Sequence, residues 1–498
     1  MHALILISVF VVATCSLIYE LLAGTLASYL LGDSVLQFST VIGTYMFALG
    51  LGSWLSKFIE KDLNTKFVRL QLTIGTCGGL SGALLFLTFG YTNANSFRFI
   101  LYAVVSIIGL LSGLEVPMLL RILKDKLEFK ELLSQVLSLD YIGSLIASLL
   151  FPLFFVPYLG LIRTSAFFGF VNVLVALGFL YLFSIHQNER RRLTWEAALA
   201  ALLLIATFVA ANRITRLAEE SLYTDSIIIS RQSQYQRLIV TRRNSDVRLY
   251  LNNNLQFSSQ DESRYHESLT LPPLKAAKSA DKVLILGGGD GMAARELLRD
   301  PRVKHIDLVD LDPEMTNLFS QHPLLTSLNN NSLNSPKLTI FNQDAFIWID
   351  SCRDLYDVIL VDFPDPSNFS VGKLYTRNFF RKLTAHLKPD GAGSIQCTSP
   401  YFARQSYWCI INTLASTGVA VKPYHVNVPS FGEWGFCLFT HKEIDIPNCL
   451  GFRFLTPEFT KAMFALPKDM AYVPTEINQL HNQILVHYYD KDWQTMEQ

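Results

Sequence analysis

Apolar residues fill the first 212 positions in long blocks, and beyond them the pattern changes to short runs broken by polar turns. A membrane-crossing helix needs ~20 mainly apolar residues. Seven segments meet that requirement: Leu4–Leu31, Val35–Leu55, Leu70–Gly90, Phe99–Leu119, Leu133–Val156, Thr164–Phe183 and Trp195–Ala211. The first lacks a basic leader and runs straight into the second, so it does not read as a cleaved signal peptide. Gly75 with Gly79, and Gly50 with Gly52, suit close helix packing. Pro152 and Pro157 bend or end the fifth span.

Arg213–Ser221 reads as a polar linker. Period-two runs follow at Ser226–Ser230, Leu238–Arg242 and Val247–Leu251, separated by Asn-rich turns, which predicts a small antiparallel β-meander. From Val283 strands alternate with helices. Strands are expected at Val283–Leu286, His305–Val309, Leu338–Phe341, Val358–Val361 and Gly393–Cys397, with helices at Ala293–Arg299, Pro313–Phe319 and Thr376–Leu387. That alternation predicts a doubly wound parallel sheet. The domains expected are 1–212 (membrane helices), 223–275 (meander) and 276–498 (α/β domain ending in a helical extension).

Of the 498 residues 50% are hydrophobic, and 42 basic residues balance 42 acidic ones. A nucleic-acid binder would be basic, so no nucleic-acid partner is expected. The seven cysteines form no C-x-x-C pair and read as reduced thiols. Basic residues cluster in alternate loops: Lys57, Lys61, Lys66 and Arg69; Arg121, Lys124, Lys126 and Lys130; Arg190–Arg192. The chain therefore reads as a multi-pass protein of the cell membrane with the lipid bilayer as a partner. Seven spans would put the soluble part outside, and a re-entrant Leu133–Val156 would put it inside; the side stays open. Glu20, Glu115 and Asp140 lie within or near the spans. They suggest a cation path, or alternatively Glu115 and Asp140 pair with Arg121 or Lys124 near an interface.

Four acidic signposts follow apolar runs in the α/β region: G-G-G-D-G (Gly287–Gly291), V-D-L-D (Val309–Asp312), Q-D-A (Gln343–Ala345) and D-F-P-D-P (Asp362–Pro366). Each carboxylate would project from the carboxyl end of a strand, where open parallel sheets hold ligands. Gly287 and Gly289 would let the backbone approach a nucleoside, and Asp310 would hold ribose hydroxyls. Asp290 stands where a dinucleotide site would take pyrophosphate, so a cationic ligand is favoured. Asp362 and Asp365 could hold a diamine and remove its proton, since an alkyl ammonium of pKa ~10.4 is no nucleophile until deprotonated. Tyr265 and Tyr375 could orient the amine or could be core. His266 follows the meander directly.

With these motifs placed, residues Asp225–His441 resemble the spermidine synthase (polyamine aminopropyltransferase) family. The resemblance rests on Y-Q (Tyr235, Gln236), L-x-L-N-x-x-x-Q (Leu249–Gln256), D-E-x-R-Y-H-E (Asp261–Glu267) and G-G-G-D-G-x-x-x-R-E (Gly287–Glu296). V-D-L-D, D-A, D-x-x-D-P and P-S-F-G-x-W-G-F (Pro429–Phe436) complete it. The whole chain is similar to the bacterial membrane-fused branch. The resemblance implies a Rossmann-like, methyltransferase-type α/β domain preceded by the β-meander and an α-helical transmembrane bundle. It implies transfer of an aminopropyl group from decarboxylated S-adenosylmethionine, a co-substrate, to a polyamine such as putrescine. Methylthioadenosine is released, and no metal or other cofactor is expected. Gln236 would line the thioether nucleoside pocket, His266 the substrate passage, Asp290 the aminopropyl ammonium, Asp310 the ribose, and Asp344 with Ala345 the adenine. Asp362 would accept the proton, and Asp365, Tyr265 and Tyr375 would bind the acceptor. A homodimer is the assembly considered.

Two departures stand out. The family's D-S-S-D-P is D-F-P-D-P here, followed by Ser367-Asn368-Phe369, and the acidic position near Gln396-Cys397-Thr398 is not evident. The donor side matches better than the acceptor side. Two other functions stay open: a methyltransferase using intact S-adenosylmethionine, whose carboxylate Asp290 would disfavour, and a polyamine transporter or sensor with a non-catalytic domain.

Overall fold

In the computed structural model, which describes residues 2–31, 34–124 and 129–494, the apolar blocks form seven helices. They are α1 (His2–Leu31), α2 (Ser34–Leu55), α3 (Leu63–Tyr91), α4 (Ala94–Leu123), α5 (Phe129–Leu150), α6 (Val156–Leu182) and α7 (Gln187–Leu222). Lys126 of the expected basic loop lies outside the described residues. Six apolar stretches are long enough to cross a membrane among the described residues, and one, Lys130–Leu182, runs 53 residues. At ~1.5 Å per residue that is about 80 Å, more than twice a hydrocarbon thickness of ~30 Å, so it contains both the fifth and the sixth expected segments. Pro152 and Pro157 do not end the helix. Phe151–Phe155 winds as a π-helix, and the break falls at Gly160 (φ 75°, ψ 172°), a conformation that glycine reaches without strain.

The expected linker Arg213–Ser221 is helical, being the last turns of the 36-residue α7. Ile214 and Ala218, four residues apart, pack on the helical core, so charge on the opposite face does not stop the helix. Helix α3 packs on α6 and α7, α2 on α4, and α1 on α5. A Cβ at Gly75 would lie 2.7 Å from the Gly169 carbonyl oxygen, which is why α3 and α6 can meet backbone to backbone. Gly52 plays that part against Leu110, whereas Gly50 has nothing within 4 Å. The outer faces are apolar, with Phe47 75% and Phe99 77% exposed.

The chain divides into two compact units, Met1–Ser226 and Ile227–Gln498. The meander has four strands in the order β1-β2-β3-β4, one more than the sequence pattern suggests. They are β1 (Ser226–Gln232), β2 (Arg237–Arg243), β3 (Asp246–Leu251) and β4 (Asn254–Ser258). Asn252 and Asn253 take positive φ in a two-residue turn, which leaves Asn254 to open β4. Helix α8 (Glu262–Ala276) follows.

The main sheet has the order β7-β6-β5-β8-β9-β11-β10. Its strands are β5 (Lys282–Gly287), β6 (His305–Asp310), β7 (Leu338–Asn342), β8 (Tyr356–Asp362), β9 (Leu387–Gln396), β10 (Ala420–Val428) and β11 (Gly432–Thr440). The first five are parallel, and β11 runs antiparallel to β9 and β10. The β10–β11 pair was not expected; Pro423 obscures the pattern of β10 and is tolerated because β10 is an edge strand. Interleaved helices are α9 (Met292–Leu298), α10 (Pro313–Gln321), α11 (Pro323–Leu328), α12 (Ala345–Ser351), α13 (Phe369–Gly372), α14 (Arg377–Ala385) and α15 (Arg404–Ala415), with α16 (Pro457–Ala462) and α17 (Ile484–Gln494) near the end. The chain proceeds from β5 outward to β7 and then returns to the other side of β5 as β8. That reversal opens a crevice at the carboxyl ends of β5 and β8.

Candidate active site

Strand β5 is apolar and buried from Val283 to Leu286, and it ends in the glycine turn. Gly287 (φ 84°) is paired in register with Asp362 at the end of β8. A Cβ on Gly287 would stand 2.1 Å from the Asp362 carbonyl oxygen, so glycine is what allows the turn and Asp362 to share one level. Gly289 donates its N–H to Asp310 Oδ2 at 3.0 Å, and the Asp312 N–H reaches Asp310 Oδ1 at 2.9 Å. Burial outweighs these bonds, with the neighbouring Asp312 and Asp290 adding to it, and raises Asp310 to about 6. Asp290 sits in the turn itself, its Oδ1 accepting the Met292 N–H at 2.9 Å.

Helix α8 supplies the opposite wall. Tyr265 donates its hydroxyl to Asp362 Oδ1 at 2.5 Å. His266 presents Nε2 toward Asp290 Oδ2 at 4.0 Å, while its Nδ1 lies 3.0 Å from Glu262 Oε2. Arg295 of α9 donates to both oxygens of Glu262, at 3.0 and 2.7 Å. Burial opposes charge on both members of the Glu262–His266 pair. Their mutual bond, the Arg295 guanidinium on Glu262 and the Asp290 and Asp362 carboxylates on His266 overcome it. Glu262 is held at about 2 and His266 at about 9. Asp362 is raised to about 6 by burial, against the pull of His266, with Asp290 adding to the rise. Burial and the Asp362 carboxylate hold Tyr265 well above the usual phenol value, so it remains a donor.

Asp365 forms a separate station. It accepts from Thr398 Oγ1 and from Tyr489 Oη, each at 3.0 Å, and more distantly from Gln396 Nε2 at 3.4 Å. Burial raises it to about 6. Gln396 also donates to the Tyr375 hydroxyl at 2.9 Å, and Tyr375 is itself fully buried.

The structure thus gathers Tyr265, His266, Asp290, Asp310 and Asp362 around the β5–β8 crevice, with Asp365 and Tyr375 joined through Gln396. Gln236 lies apart from that group and donates to Asp312 Oδ2 at 2.9 Å. Asp344 caps α12 through the Phe346 N–H at 2.9 Å and takes Lys373 Nζ at 2.5 Å; Ala345 beside it is buried. Sequence reasoning gave no role to Glu262, Arg295, Asp312, Lys373 or Tyr489. Glu262 could have been found, because it stands four residues before His266 and hence on the same helical face.

A family model described as the spermine/spermidine synthase domain matches residues 262–448. A polyamine aminopropyltransferase of Leptospira interrogans is 52% identical over 497 residues, covering 99% of each chain. The chain belongs to this family. A second member, polyamine aminopropyltransferase 2 of Ralstonia nicotianae, is 48% identical over 502 residues, covering 99% of this chain and 98% of the relative. A solved spermidine synthase in complex with the transition-state analogue AdoDATO superposes with a TM-score of 0.46 at 23% identity, covering 49% of this chain and 88% of that one. Family membership extends over the helical unit as well as the α/β unit, since the relatives align over nearly the whole length. The chain is accordingly an aminopropyltransferase-type transferase.

Proposed function

We propose that the α/β unit transfers the aminopropyl group of decarboxylated S-adenosylmethionine to an amine nitrogen of a polyamine, releasing methylthioadenosine. The observation that carries this reading is the set of four carboxylates, Asp290 buried and Asp310, Asp362 and Asp365 half-buried, opposed by the imidazolium of His266. Such a site is net negative and suits two cationic guests.

In this reading Gly287 and Gly289 let the nucleoside approach the turn, Asp310 takes the ribose hydroxyls, and Asp344 with Ala345 holds the adenine. Gln236 acts from the thioether side through its tie to Asp312. Asp290 takes the donor's ammonium, and His266 lines the passage. Asp365, Tyr265 and Tyr375 hold the acceptor. The acceptor nitrogen attacks the carbon next to the sulfonium, the C–S bond breaks with its electron pair going to sulfur, and Asp362 takes the nitrogen's proton. The sulfonium already activates the carbon, so the protein supplies position and a base. Purified protein given decarboxylated S-adenosylmethionine and putrescine should release methylthioadenosine. Release of S-adenosylhomocysteine from intact S-adenosylmethionine, with no turnover of the decarboxylated donor, would refute the reading.

The helical unit fits a multi-pass membrane anchor, supported by its long apolar helices and outward-facing Phe47 and Phe99. Extraction of the full chain by alkaline carbonate without detergent would count against it.

A further inference from the structure

Glu262 is buried in the first turn of α8, and both of its carboxylate oxygens are engaged. Oε1 accepts from Arg295 at 3.0 Å and from Arg453, which lies beyond β11, at 3.3 Å. Oε2 accepts from Arg295 at 2.7 Å and faces His266 Nδ1 at 3.0 Å. The Glu262 carbonyl oxygen lies 2.9 Å from the same ring nitrogen. Arg295 is fixed in turn by Glu296 at 2.8 Å and by the Leu328 carbonyl oxygen at 2.7 Å.

Two acceptors at Nδ1 require that nitrogen to carry a hydrogen, so Nε2 is the atom whose protonation varies. Nε2 points toward Asp290 Oδ2, 4.0 Å away. A lone pair there would face a carboxylate, whereas an N–H complements it. Three carboxylates act on the ring: Glu262 on its own helix, Asp290 in the glycine turn and Asp362 at the end of β8. Strands β9, β10 and β11 meet α8 through neutral groups. The Ser394 hydroxyl donates to the Leu269 carbonyl, the Tyr424 hydroxyl donates to the Ser268 carbonyl at 2.8 Å, and Phe436 packs on the Tyr265 ring. The bond to Glu262 therefore fixes which nitrogen of His266 faces the crevice.

We propose that Glu262 is a positioning residue for the transfer reaction: held by Arg295 and Arg453, it locks the His266 ring with Nε2 toward Asp290, so that a fixed imidazolium stands beside Asp362. This role rests on the transfer reading above. The imidazolium opposes the effect of burial at Asp362, so it keeps that carboxylate ionised at lower pH than burial alone would allow. Glu262 thereby sets the acid end of the working pH range without a place in either substrate site.

The test uses the full chain with Glu262→Gln, which keeps an oxygen for Nδ1 but removes the charge. Methylthioadenosine release from decarboxylated S-adenosylmethionine and putrescine is followed across the acid and neutral range. The His266 ring is read without substrate by ¹⁵N NMR of histidine-labelled protein, its signal assigned by loss in His266→Gln. The parent ring should be doubly protonated at neutral pH. In Glu262→Gln its midpoint should fall by at least about one pH unit, and the acid limb of kcat/KM should move up by about one unit. The rate is then lower by about fivefold near the parent's limb, and the loss shrinks to less than about twofold two units or more above it. A purely structural role would lower the rate by one factor at every pH. Should Glu262→Gln fail to fold, Glu262→Asp keeps the anion beside Arg295 on a shorter arm and should shift the ring midpoint in the same direction by less. The proposal is overturned if the parent ring is neutral at neutral pH, if the midpoint does not move in the variant, or if the rate falls equally at every pH. A parent that releases no methylthioadenosine sinks the transfer reading instead, and the ring signal then still reports whether Glu262 fixes the imidazolium.

Discussion

Tyr265 and Asp362 are joined by a 2.5 Å hydrogen bond that ties helix α8 to the end of strand β8. The bond occupies one oxygen of Asp362 and leaves the other for an incoming amine. Replacement of Asp362 by Asn preserves the shape and removes the proposed base. The turnover number should fall by ~10²–10⁴. Donor affinity, followed by calorimetric titration, should change little; a large loss of donor binding would mean that Asp362 belongs to the donor site.

Asp362 and Asp365 both titrate at about 6, far above the ordinary 3.8 of an aspartate. In the proposed roles of base and amine anchor they would work only when ionised. Because both must be ionised, the rate at low substrate should fall by roughly a hundredfold per pH unit well below about 6. Stability moves the other way. Between 3.8 and about 6 the folded state binds more protons than the unfolded one, so these acids make folding less favourable as pH rises through that window. Asp362→Asn should raise the melting temperature at pH 8 by a few degrees. An unchanged or lowered melting point would contradict the burial argument.

His266 has the opposite sign. Its folded value of about 9 lies above the ordinary 6.5, so the imidazolium stabilises the fold fully below 6.5, and that contribution is lost as pH rises to about 9. Denaturant titrations at pH 6.5 and pH 9.5 should show falling stability in the parent and a flatter dependence in His266→Gln. Equal slopes would place the proton elsewhere.

The gathering of the strand-end residues at one crevice was legible in the sequence because its signal is local. Gly287, Asp290, Asp310 and Asp362 each follow a short apolar run, and a parallel sheet brings all strand ends to one edge. What the sequence hid is non-local or structurally ambiguous. Tyr489 meets Asp365 across 124 positions. Lys373 meets Asp344 only because the turn after α13 packs against α12. Helix α8 was concealed by Pro272 and Pro273 within it, and the end of α7 by charges lying on its outer face. The seven apolar blocks were plain, but Gly160 rather than either neighbouring proline breaks the long helical run. Propensity marks where a helix can break, and packing decides where it does.

Arg295 shows how tightly the helix wall is fixed. It is 3% exposed and bonded to Glu262 and Glu296, so removing it takes one cation from each of two buried carboxylates, leaving Glu262 with His266 and Arg453 and Glu296 with Arg299. Leaving a buried charge wholly unpaired costs about 3–5 kcal/mol, and the remaining partners hold the loss toward the low end of that range. Arg295→Met should lower stability by that order and also loosen His266, whose Nδ1 bond depends on Glu262. Unfolding curves and the His266 imidazole resonance would report the two effects separately.

Tyr489 brings the C-terminal helix to the acceptor end, where the motif D-F-P-D-P departs from the family pattern. Its hydroxyl shares Asp365 Oδ2 with Thr398, so it sets the direction of the carboxylate that the acceptor amine would meet. Loss of one hydrogen bond to a charged group is worth ~1.5–3 kcal/mol, and part of it returns through Thr398. Tyr489→Phe should therefore raise the KM for putrescine by about three- to tenfold. The KM for the donor should stay within twofold, because Asp290 and Asp310 are untouched. A parallel rise in both would mean that α17 stabilises the whole crevice rather than the acceptor end. An unchanged pair would mean that Thr398 and Gln396 orient Asp365 without it.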